Sequence, residues 1–285
     1  RNQTLTFEVL QEAIAGRAAA FRCATEYQPA GGAGDKVFPP TYEGGKYAYE
    51  KRVVDGGQII DCVLLDSVQS QANRMELALL DARRQDLFEL PLVTVRFDDD
   101  RLLKKLTVTS LEAPHRVADA LLRDSLLDNV TFRKSAKGRF LYNADVSNAT
   151  GLFGLCPTAL VFGIWDSTGP RGGLGAKFQR ALVSEMVGYG VQEGVKTSSR
   201  IDPAQISSHA IIYLADTDVG YTTEKDRAKR DTKGNPIPFD RGRGEGKAGN
   251  PSKANHSNIP PQVSNGGFSF SYARQITVLS LATLR

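Results

Sequence analysis

The spacing of apolar residues predicts a strand followed by a helix in the first third of the chain. Residues 58–65 are rich in β-branched and apolar side chains, which is typical of a buried strand. From Ser67 onward the apolar positions recur at the spacing of one helix face, as shown by Val68, Ala72, Met75, Leu79 and Ala82. Asp66 or Ser67 suits the N-cap of this helix, and we expect the helix to end near Arg84.

A hairpin and a second helix follow in the pattern. Residues 90–97 and 105–111 predict two paired strands around the polar turn at 98–101. Pro114 suits the first turn of a helix. Apolar residues continue that helix at Val117, Leu121, Leu122 and Leu126.

The second half of the chain is richer in predicted strands. Residues 158–165 form the most apolar run and predict a strand. A glycine-rich turn follows, and the spacing of Phe178, Leu182 and Met186 then predicts a helix over 176–187. Residues 210–214, 268–272 and 276–284 predict further extended segments that complete a sheet.

Strands and helices therefore mix without regular βαβ alternation, which favours an α+β fold over a doubly wound sheet. A ferredoxin-like core, a split βαβ arrangement with long insertions, is one architecture of this class. The 285 residues are 41% hydrophobic and 24% charged, which is typical of a globular protein. No apolar run approaches the roughly 20 residues of a membrane span. The three cysteines are widely spaced, so we expect no disulfide framework and a cytoplasmic protein.

All of the excess positive charge lies in one stretch of the sequence. The net charge is +4, and residues 221–256 contain nine Lys and Arg against five Asp and Glu, so the remainder is neutral. Glycines are frequent in the same stretch, which favours a mobile loop over a packed core. The basic insertion, residues 216–267, is therefore either an arm that follows a phosphate backbone or a solvated loop without a partner.

Polar donors surround the beginning of the helix that follows Ser67. Gln69, Ser70, Asn73 and Arg74 lie off its apolar face. Backbone N–H groups and the positive end of the helix dipole attract anions at such a position. Arginine can add a bidentate contact to phosphate. The pattern predicts either a phosphate site or a capped helix with a polar outer face.

A second candidate for phosphate binding is the glycine-rich turn. Four glycines fall within residues 169–175, and Arg171, Lys177 and Arg180 surround them. Ala176 and Phe178 break the Walker pattern, and Phe178 also breaks the dinucleotide fingerprint. A phosphate site and a tight structural turn both fit what remains.

Motifs for catalysis are missing from the sequence. His115, His209 and His256 show no metal-ligand spacing, and there is no G-x-S-x-G elbow. We therefore expect a protein that is not an enzyme and that needs no metal or cofactor. His256 lies in the rigid polar turn N-H-S-N-I-P-P, where it either contacts a nucleotide or belongs to a plain loop.

Several motifs together resemble one family. They are L-L-D-S-V-Q-S-Q-A-N-R-M-E at 64–76, the segment at 155–185 from L-C-P-T-A-L-V-F-G-I-W-D-S-T-G-P to A-L-V-S-E, S-S-R-I-D-P at 198–203, N-H-S-N-I-P-P at 255–261 and the closing V-L-S-L-A-T-L-R. From about residue 36 to the end, the chain resembles the backbone subunit of type I-G (formerly type I-U) CRISPR effector complexes, a branch of the RAMP superfamily.

The resemblance implies a modified RRM-like palm with an inserted thumb and web, in one domain over residues 1–285. It implies a subunit of Cascade that binds CRISPR RNA, polymerises along the guide spacer and presents it to target DNA. The other implied partners are neighbouring copies, a large subunit, a fused guide-end subunit and a helicase-nuclease recruited in trans. The basic insertion is one candidate for the thumb.

The same resemblance implies particular RNA ligands. In related subunits a helix that begins with Ser, Gln and a basic residue holds guide phosphates. Carried over to this chain, this points to Ser67, Gln69, Ser70, Gln71, Asn73 and Arg74. The further candidates are Arg171, Lys177, Arg180 and Arg200. Contacts should go to phosphate and sugar, because a guide carries any spacer sequence.

Two other functions stay open at the level of the sequence. Some RAMP relatives cut target RNA with a loop aspartate and a metal, and Asp66, Asp166 and Asp202 are candidates for that role. The third hypothesis is a phosphate-handling enzyme that uses the turn at 169–177. The broken nucleotide-binding motifs disfavour this hypothesis.

Overall fold

The computed structural model describes residues 4–169, 176–216, 220–241, 246–256 and 258–285. Helices and strands mix around a central antiparallel sheet, which confirms the predicted α+β class. The chain divides into two compact units. Unit 1 consists of the residues up to Gln192 together with Ser269–Arg285, and unit 2 consists of Glu193–Phe268. Within the described ranges, none of the helices combines the length and the apolar character needed to cross a bilayer.

The elements are as follows. The helices are α1 (Phe7–Ala15), α2 (Val68–Arg84), α3 (Ala120–Arg123), α4 (Arg139–Tyr142), α5 (Thr150–Leu155), α6 (Thr158–Phe162) and α7 (Leu281–Leu284). The strands are β1 (Ala20–Tyr27), β2 (Thr41–Tyr42), β3 (Lys46–Tyr47), β4 (Tyr49–Val53), β5 (Ile59–Asp66), β6 (Thr94–Phe97), β7 (Leu106–Thr109), β8 (Leu126–Leu127), β9 (Val130–Thr131), β10 (Ile164–Trp165), β11 (Lys177–Phe178), β12 (Leu182–Arg200), β13 (Tyr213–Leu214), β14 (Tyr221–Thr222) and β15 (Ile259–Ser280).

The largest sheet has five strands in the order β1-β15-β12-β5-β4. Strand β5 lies between β4 and β12 and runs antiparallel to both, with Val63 opposite Tyr49 on one side and Gly188 on the other. Cys62 and Val63 are fully buried in β5, and Val187 is buried beside them in β12. The prediction of a buried strand at 58–65 is therefore confirmed.

The predicted helix after this strand is also confirmed, and it is α2. Ser67 is the N-cap, because its Oγ accepts a hydrogen bond from the Ser70 N–H at 3.2 Å. The buried side of α2 differs in part from the predicted apolar stripe, since it carries Gln71, Ala72, Glu76 and Leu80. Two polar residues can lie on this side because each has a charged or polar partner, as described below.

The prediction of a strand at 158–165 is wrong for most of its length. Residues Thr158–Phe162 form helix α6, and only Ile164–Trp165 is a strand. The helix begins directly after Pro157 and ends at Gly163, whose φ of +79° and ψ of 156° suit glycine alone. A short, wholly apolar run fits a buried helix as well as a buried strand, so periodicity could not separate the two.

The predicted helix at 176–187 is likewise wrong. Lys177–Phe178 and Leu182–Arg200 are strands, and β12 is a central strand of the sheet. The apolar residues that suggested a helix are four apart. Because four is an even number, the same spacing also places residues on one face of a strand. The pattern therefore fitted both structures.

The remaining predictions were correct in type for only part of their length. Strands β6 and β7 pair as the hairpin at 90–111 predicted. The predicted helix from Pro114 is broken into a short 3-10 turn at Arg116–Ala118 and α3, because Asp119 is extended and caps α3. The two extended segments at 268–284 are one strand, β15, followed by the short helix α7. Of the strand predicted at 210–214, only Tyr213–Leu214 is extended in β13.

Unit 1 also contains a core formed by the segment between α2 and β12. It lies among the short helices and the β10–β11 hairpin, and its buried residues are Val117, Ala118, Phe132, Leu141, Ala144, Leu152, Cys156, Ala159, Ile164 and Ala176. This core anchors the hairpin, because Ile164 points into it while its neighbour Trp165 points outward.

Unit 2 has buried apolar residues of its own, namely Ile212, Tyr213, Ala228 and Phe239. Backbone hydrogen bonds connect the segments that carry them, with the Ile212 N–H donating to Gly249 O at 2.8 Å and the Gly249 N–H donating to Phe239 O at 2.9 Å. The described part of the basic insertion therefore packs around apolar side chains. The amino-acid composition of this part of the chain did not indicate such packing, because the few apolar side chains lie among many charged residues and glycines.

Candidate nucleic-acid interface

The beginning of α2 presents polar donors to solvent. Gln69, Asn73 and Arg74 are exposed there, and Ser67 and Ser70 are half-buried. The first turn of α2 contains no acidic residue, so nothing in that turn opposes the positive end of the helix dipole. The Arg74 side chain is 71% exposed, and its Nε donates to Asp66 Oδ2 at 2.8 Å. Asp66 therefore orients the guanidinium while most of that side chain stays in solvent.

Gln71 lies behind these exposed residues and fixes the helix to the sheet. Its Nε2 donates to Asp66 Oδ2 at 2.5 Å, and its Oε1 accepts from Ser184 Oγ at 3.0 Å and from Gln275 Nε2 at 2.7 Å. Ser184 belongs to β12 and Gln275 to β15. Both ends of the Gln71 amide are thus engaged inside the protein, which holds the start of α2 in one position.

A buried ion pair lies further along the same helix. The Nε and Nη2 atoms of Arg116 donate to the two carboxylate oxygens of Glu76 at 2.6 and 2.8 Å, and the two side chains are 10% and 2% exposed. Burial raises the pKa of the Glu76 carboxyl, and Arg116 opposes that shift. The pair connects α2 to the segment before α3.

Arg180, one of the predicted phosphate ligands, is half-buried near this ion pair. Its Nε donates to the carbonyl oxygen of Phe162 at 3.1 Å. Burial lowers the pKa of Arg180, and the positive charge of Arg116 lowers it further. The helix N-terminus expected near this residue does not form, because Lys177–Phe178 is a strand. Arg171 and the glycines of the turn at 170–175 lie outside the described residues.

Lys177 faces solvent beside an exposed ring. It is paired with Trp165 across the β10–β11 hairpin, and its Nζ lies 5.5 Å from the centre of the Trp165 ring. Trp165 is 61% exposed. The two residues that alternate with them, Ile164 and Phe178, pack against the core of unit 1. The hairpin therefore presents one aromatic ring and one cation on the same outer face.

Two arginines that the sequence did not suggest hold the loop after β10. Arg123 Nη1 and Arg133 Nη2 donate to Thr168 Oγ1 at 2.7 and 2.8 Å. Asp166 Oδ1 in turn accepts from the Thr168 backbone N–H and hydroxyl, each at 3.0 Å. The arginines precede Thr168 by 45 and 35 residues. A local sequence motif therefore could not predict this cluster. The net charge could not predict it either, because the chain outside residues 221–256 is neutral overall.

In unit 2, His256 is the centre of a hydrogen-bonded chain. Its Nδ1 lies 2.7 Å from Asp202 Oδ2, and its Nε2 lies 2.7 Å from Tyr221 Oη. Asp202 is 1% exposed, and its Oδ1 accepts from the Ala204 N–H at 2.9 Å. Burial raises the pKa of the Asp202 carboxyl, but the Ala204 N–H and His256 outweigh burial and hold that pKa below its usual value.

Both ring nitrogens of His256 therefore have partners inside unit 2. Arg200, the other predicted ligand in this unit, is exposed and donates to the carbonyl oxygen of Asn255. Arg200 and His256 thus both contribute to the bonding of the segment around Asn255.

The three aspartates considered for RNA cleavage all bind protein groups. Asp66, Asp166 and Asp202 are 8%, 2% and 1% exposed. Asp66 accepts from Gln71 and Arg74, Asp166 from Thr168, and Asp202 from Ala204. Among the residues that the structure describes, no cluster of three or more His, Cys, Asp or Glu could hold a metal ion.

Comparison with known proteins identifies one family. The family model described as CRISPR-associated protein GSU0053 matches residues 21–193. This range covers unit 1 apart from its first helix and its last strand and helix, so it contains both the beginning of α2 and the β10–β11 hairpin. A search of curated proteins finds no match to this chain.

Proposed function

We propose that this chain, which belongs to the CRISPR-associated protein GSU0053 family, is a non-catalytic subunit that binds CRISPR RNA in an antiviral effector complex. The beginning of α2 carries the proposal. It combines exposed amide and guanidinium donors, a helix N-terminus without an acidic residue in its first turn, and a rigid attachment to the sheet through Gln71.

The chemistry of this surface suits a guide of any sequence. The donors of Gln69, Asn73 and Arg74 match phosphate and ribose oxygens, which every nucleotide provides. Asp66 and Gln71 hold the helix start in place, so little ordering is needed when RNA binds. Binding through these residues leaves the base edges open for pairing with target DNA.

We further propose that copies of the chain follow one another along the guide spacer as the backbone of a type I-G Cascade complex of the RAMP class. Such an assembly needs apolar surface outside the fold. Helix α1 provides some, because none of its residues is buried and Leu5, Phe7 and Ile14 at or near it are 55%, 69% and 54% exposed. Repeated head-to-tail contacts between identical copies generate a helical filament.

The remaining partners follow from the resemblance to backbone subunits. They are the target DNA strand, a large subunit, a fused guide-end subunit and a helicase-nuclease recruited in trans. Cutting belongs to that nuclease in this proposal. The bonding of Asp66, Asp166 and Asp202 within the protein favours a non-catalytic subunit over an RNA-cleaving relative.

The experiment is to purify the protein with and without a guide RNA and to measure particle size and RNA content. We expect growth into a ladder or filament that requires RNA. Arg74→Ala should weaken this assembly equally for two guides of unrelated spacer sequence, because phosphate contacts do not read bases.

Arg83→Ala is the matched control. It removes the same charge from the opposite end of the same helix, where Arg83 donates to the carbonyl oxygen of Leu90. We expect this variant to assemble normally. A defect of Arg74→Ala confined to one spacer, or a wild-type protein that never binds RNA even beside its partner subunits, would contradict the proposal.

A further inference from the structure

The ring of Trp165 is held outward by the architecture of the β10–β11 hairpin. Tryptophan has a large apolar surface, most of which is removed from solvent in the average fold. Here Ile164, one residue before it, is 5% exposed and packs in the core, so the alternation of the strand turns Trp165 away from that core. The exposed ring therefore has a fixed place on a short, anchored hairpin.

A basic side chain lies beside this ring on the solvent side. Lys177 lies across the hairpin with its Nζ 5.5 Å from the ring centre. Asp166, the neighbouring acid, is 2% exposed and is turned inward. A ligand that approaches Trp165 thus meets an aromatic face next to a cation.

This combination favours a nucleotide over a protein partner. Lysine is depleted in the cores of protein–protein interfaces, whereas aromatic rings beside basic residues are the usual means of binding single-stranded nucleic acid. The ring can stack on a base while Lys177 attracts a neighbouring phosphate. Every base has an aromatic face, so such a contact tolerates any guide sequence.

We propose that Trp165 is a stacking platform for one nucleobase of single-stranded RNA, with Lys177 as its phosphate-attracting neighbour. This inference rests on the proposed function and adds a base contact to the phosphate contacts at α2. It places that contact on a residue that the sequence motifs had not marked for RNA binding.

The test uses the fact that Trp165 is the only tryptophan in the chain. Its fluorescence therefore reports on this ring alone. The protein is titrated with dye-labelled single-stranded oligouridylate, oligoadenylate and an abasic ribose-phosphate oligomer of equal length. Anisotropy of the dye measures binding, and tryptophan emission measures stacking. We expect quenching by both base-carrying oligomers and little change with the bound abasic oligomer.

Substitutions supply the second readout. Trp165→Leu should weaken binding of the base-carrying oligomers by roughly 5- to 150-fold, the range measured for one stacked base, and leave abasic binding unchanged. Trp165→Phe should retain part of the affinity. Phe153→Leu is the matched control, because Phe153 is 62% exposed in α5 and Trp165 is 61% exposed. We expect Phe153→Leu to bind like the wild type, and thermal melting checks that each variant is folded.

Three results would overturn the inference. RNA that binds without quenching, and with equal affinity for the wild type and Trp165→Leu, would exclude stacking and leave the proposed function intact. No RNA binding by any measure would overturn both proposals. Emission that changes with protein concentration alone, together with loss of self-association in Trp165→Leu at unchanged RNA affinity, would place Trp165 at a contact between copies.

Discussion

Arg116 and Glu76 form a buried, bidentate ion pair with donor–acceptor distances of 2.6 and 2.8 Å, although 40 residues separate them in the chain. Glu76 lies on the inner side of α2, and Arg116 lies in a short 3-10 turn with a φ of +53°. Arg116 also lies over the Phe162 ring at 5.8 Å. The pair therefore connects three segments of unit 1 and holds α2, whose exposed start we propose as the RNA site.

Arg116→Met tests the importance of this pair for stability. Removing one partner leaves the Glu76 carboxylate buried without its cation, which costs about 3–5 kcal/mol. Glu76→Gln in the same chain should recover part of the loss, because the buried charge is then gone. Chemical denaturation measures both variants.

Arg84→Met is the control for this prediction. Arg84 pairs with Glu112 at 3.1 Å on the surface, where its side chain is 56% exposed. An exposed pair contributes at most about 1 kcal/mol. If Arg116→Met and Arg84→Met lower the free energy of unfolding equally, the buried pair contributes no more to stability than the exposed pair.

Salt dependence tests the phosphate contact of Arg74. Arg74→Ala should weaken single-stranded RNA binding by roughly 10- to 150-fold, since a hydrogen bond to a charged group contributes about 1.5–3 kcal/mol. It should also reduce the slope of log affinity against log salt concentration by about 0.7, the value for one phosphate contact on a single strand. Titrations at several salt concentrations measure both effects. An unchanged slope would mean that Arg74 contacts no phosphate.

Gly163→Ala should be costly at the junction of α6 and β10. Gly163 has φ +79° and ψ 156°, a region open to glycine alone, and an added Cβ would lie 3.0 Å from the carbonyl oxygen of Phe178. Each such strain costs about 1–3 kcal/mol. We expect about 3 kcal/mol of lost stability by chemical denaturation, and a displaced hairpin.

Gly56→Ala is its matched control. Gly56 has φ +80°, yet an added Cβ would meet no atom within 4 Å. Its ψ of 6° also lies near the left-handed region that other residues occasionally adopt. Only about 1 kcal/mol should be lost. If Gly163→Ala and Gly56→Ala lower the free energy of unfolding equally, the close contact with Phe178 adds nothing to the cost of Gly163→Ala.

Acidification should destabilise the protein through Asp202. The folded state holds the pKa of this carboxyl below its usual value, because the Ala204 N–H and His256 outweigh the opposing effect of burial. A lowered pKa contributes stability that is complete above the unfolded value of about 3.9 and is lost as pH falls toward the folded value. Asp202→Asn should therefore melt at lower temperature at neutral pH and show a smaller fall in Tm between pH 5 and pH 3. A fall in Tm as steep as that of the wild type would assign the acid transition to other groups.

The helix α2 could be predicted from the sequence because its pattern fits one structure only. The apolar residues of α2 alternate between steps of four and three. Odd steps cannot keep side chains on one face of a strand, so only a helix fits. The Ser67 cap, the polar donors near it and the family motif at 64–76 are equally local, so all of them are evident from the sequence.

The errors at 158–165 and 176–187 arose where a pattern fitted two structures. A spacing of four residues keeps side chains on one face of a helix and also on one face of a strand. A short run of apolar residues shows no periodicity that could separate the two. The contacts that decide between helix and strand in these two segments are made with residues far away in the sequence. The segment Leu182–Arg200 pairs with β5, more than 100 residues earlier, and Thr158–Phe162 packs into a core built from many short segments.

The two parts of the proposed RNA surface differ in the same way. The beginning of α2 follows from residues that are close in the sequence, because a cap, a dipole and neighbouring donors all lie within one helical turn or two. Contacts between distant segments turn Trp165 outward beside Lys177 and bring Arg123 and Arg133 to Thr168. They also give Gln71 and Arg180 hydrogen-bond partners within the protein. Those arrangements depend on which distant residues pack into the same core. The local spacing of residues does not predict that packing.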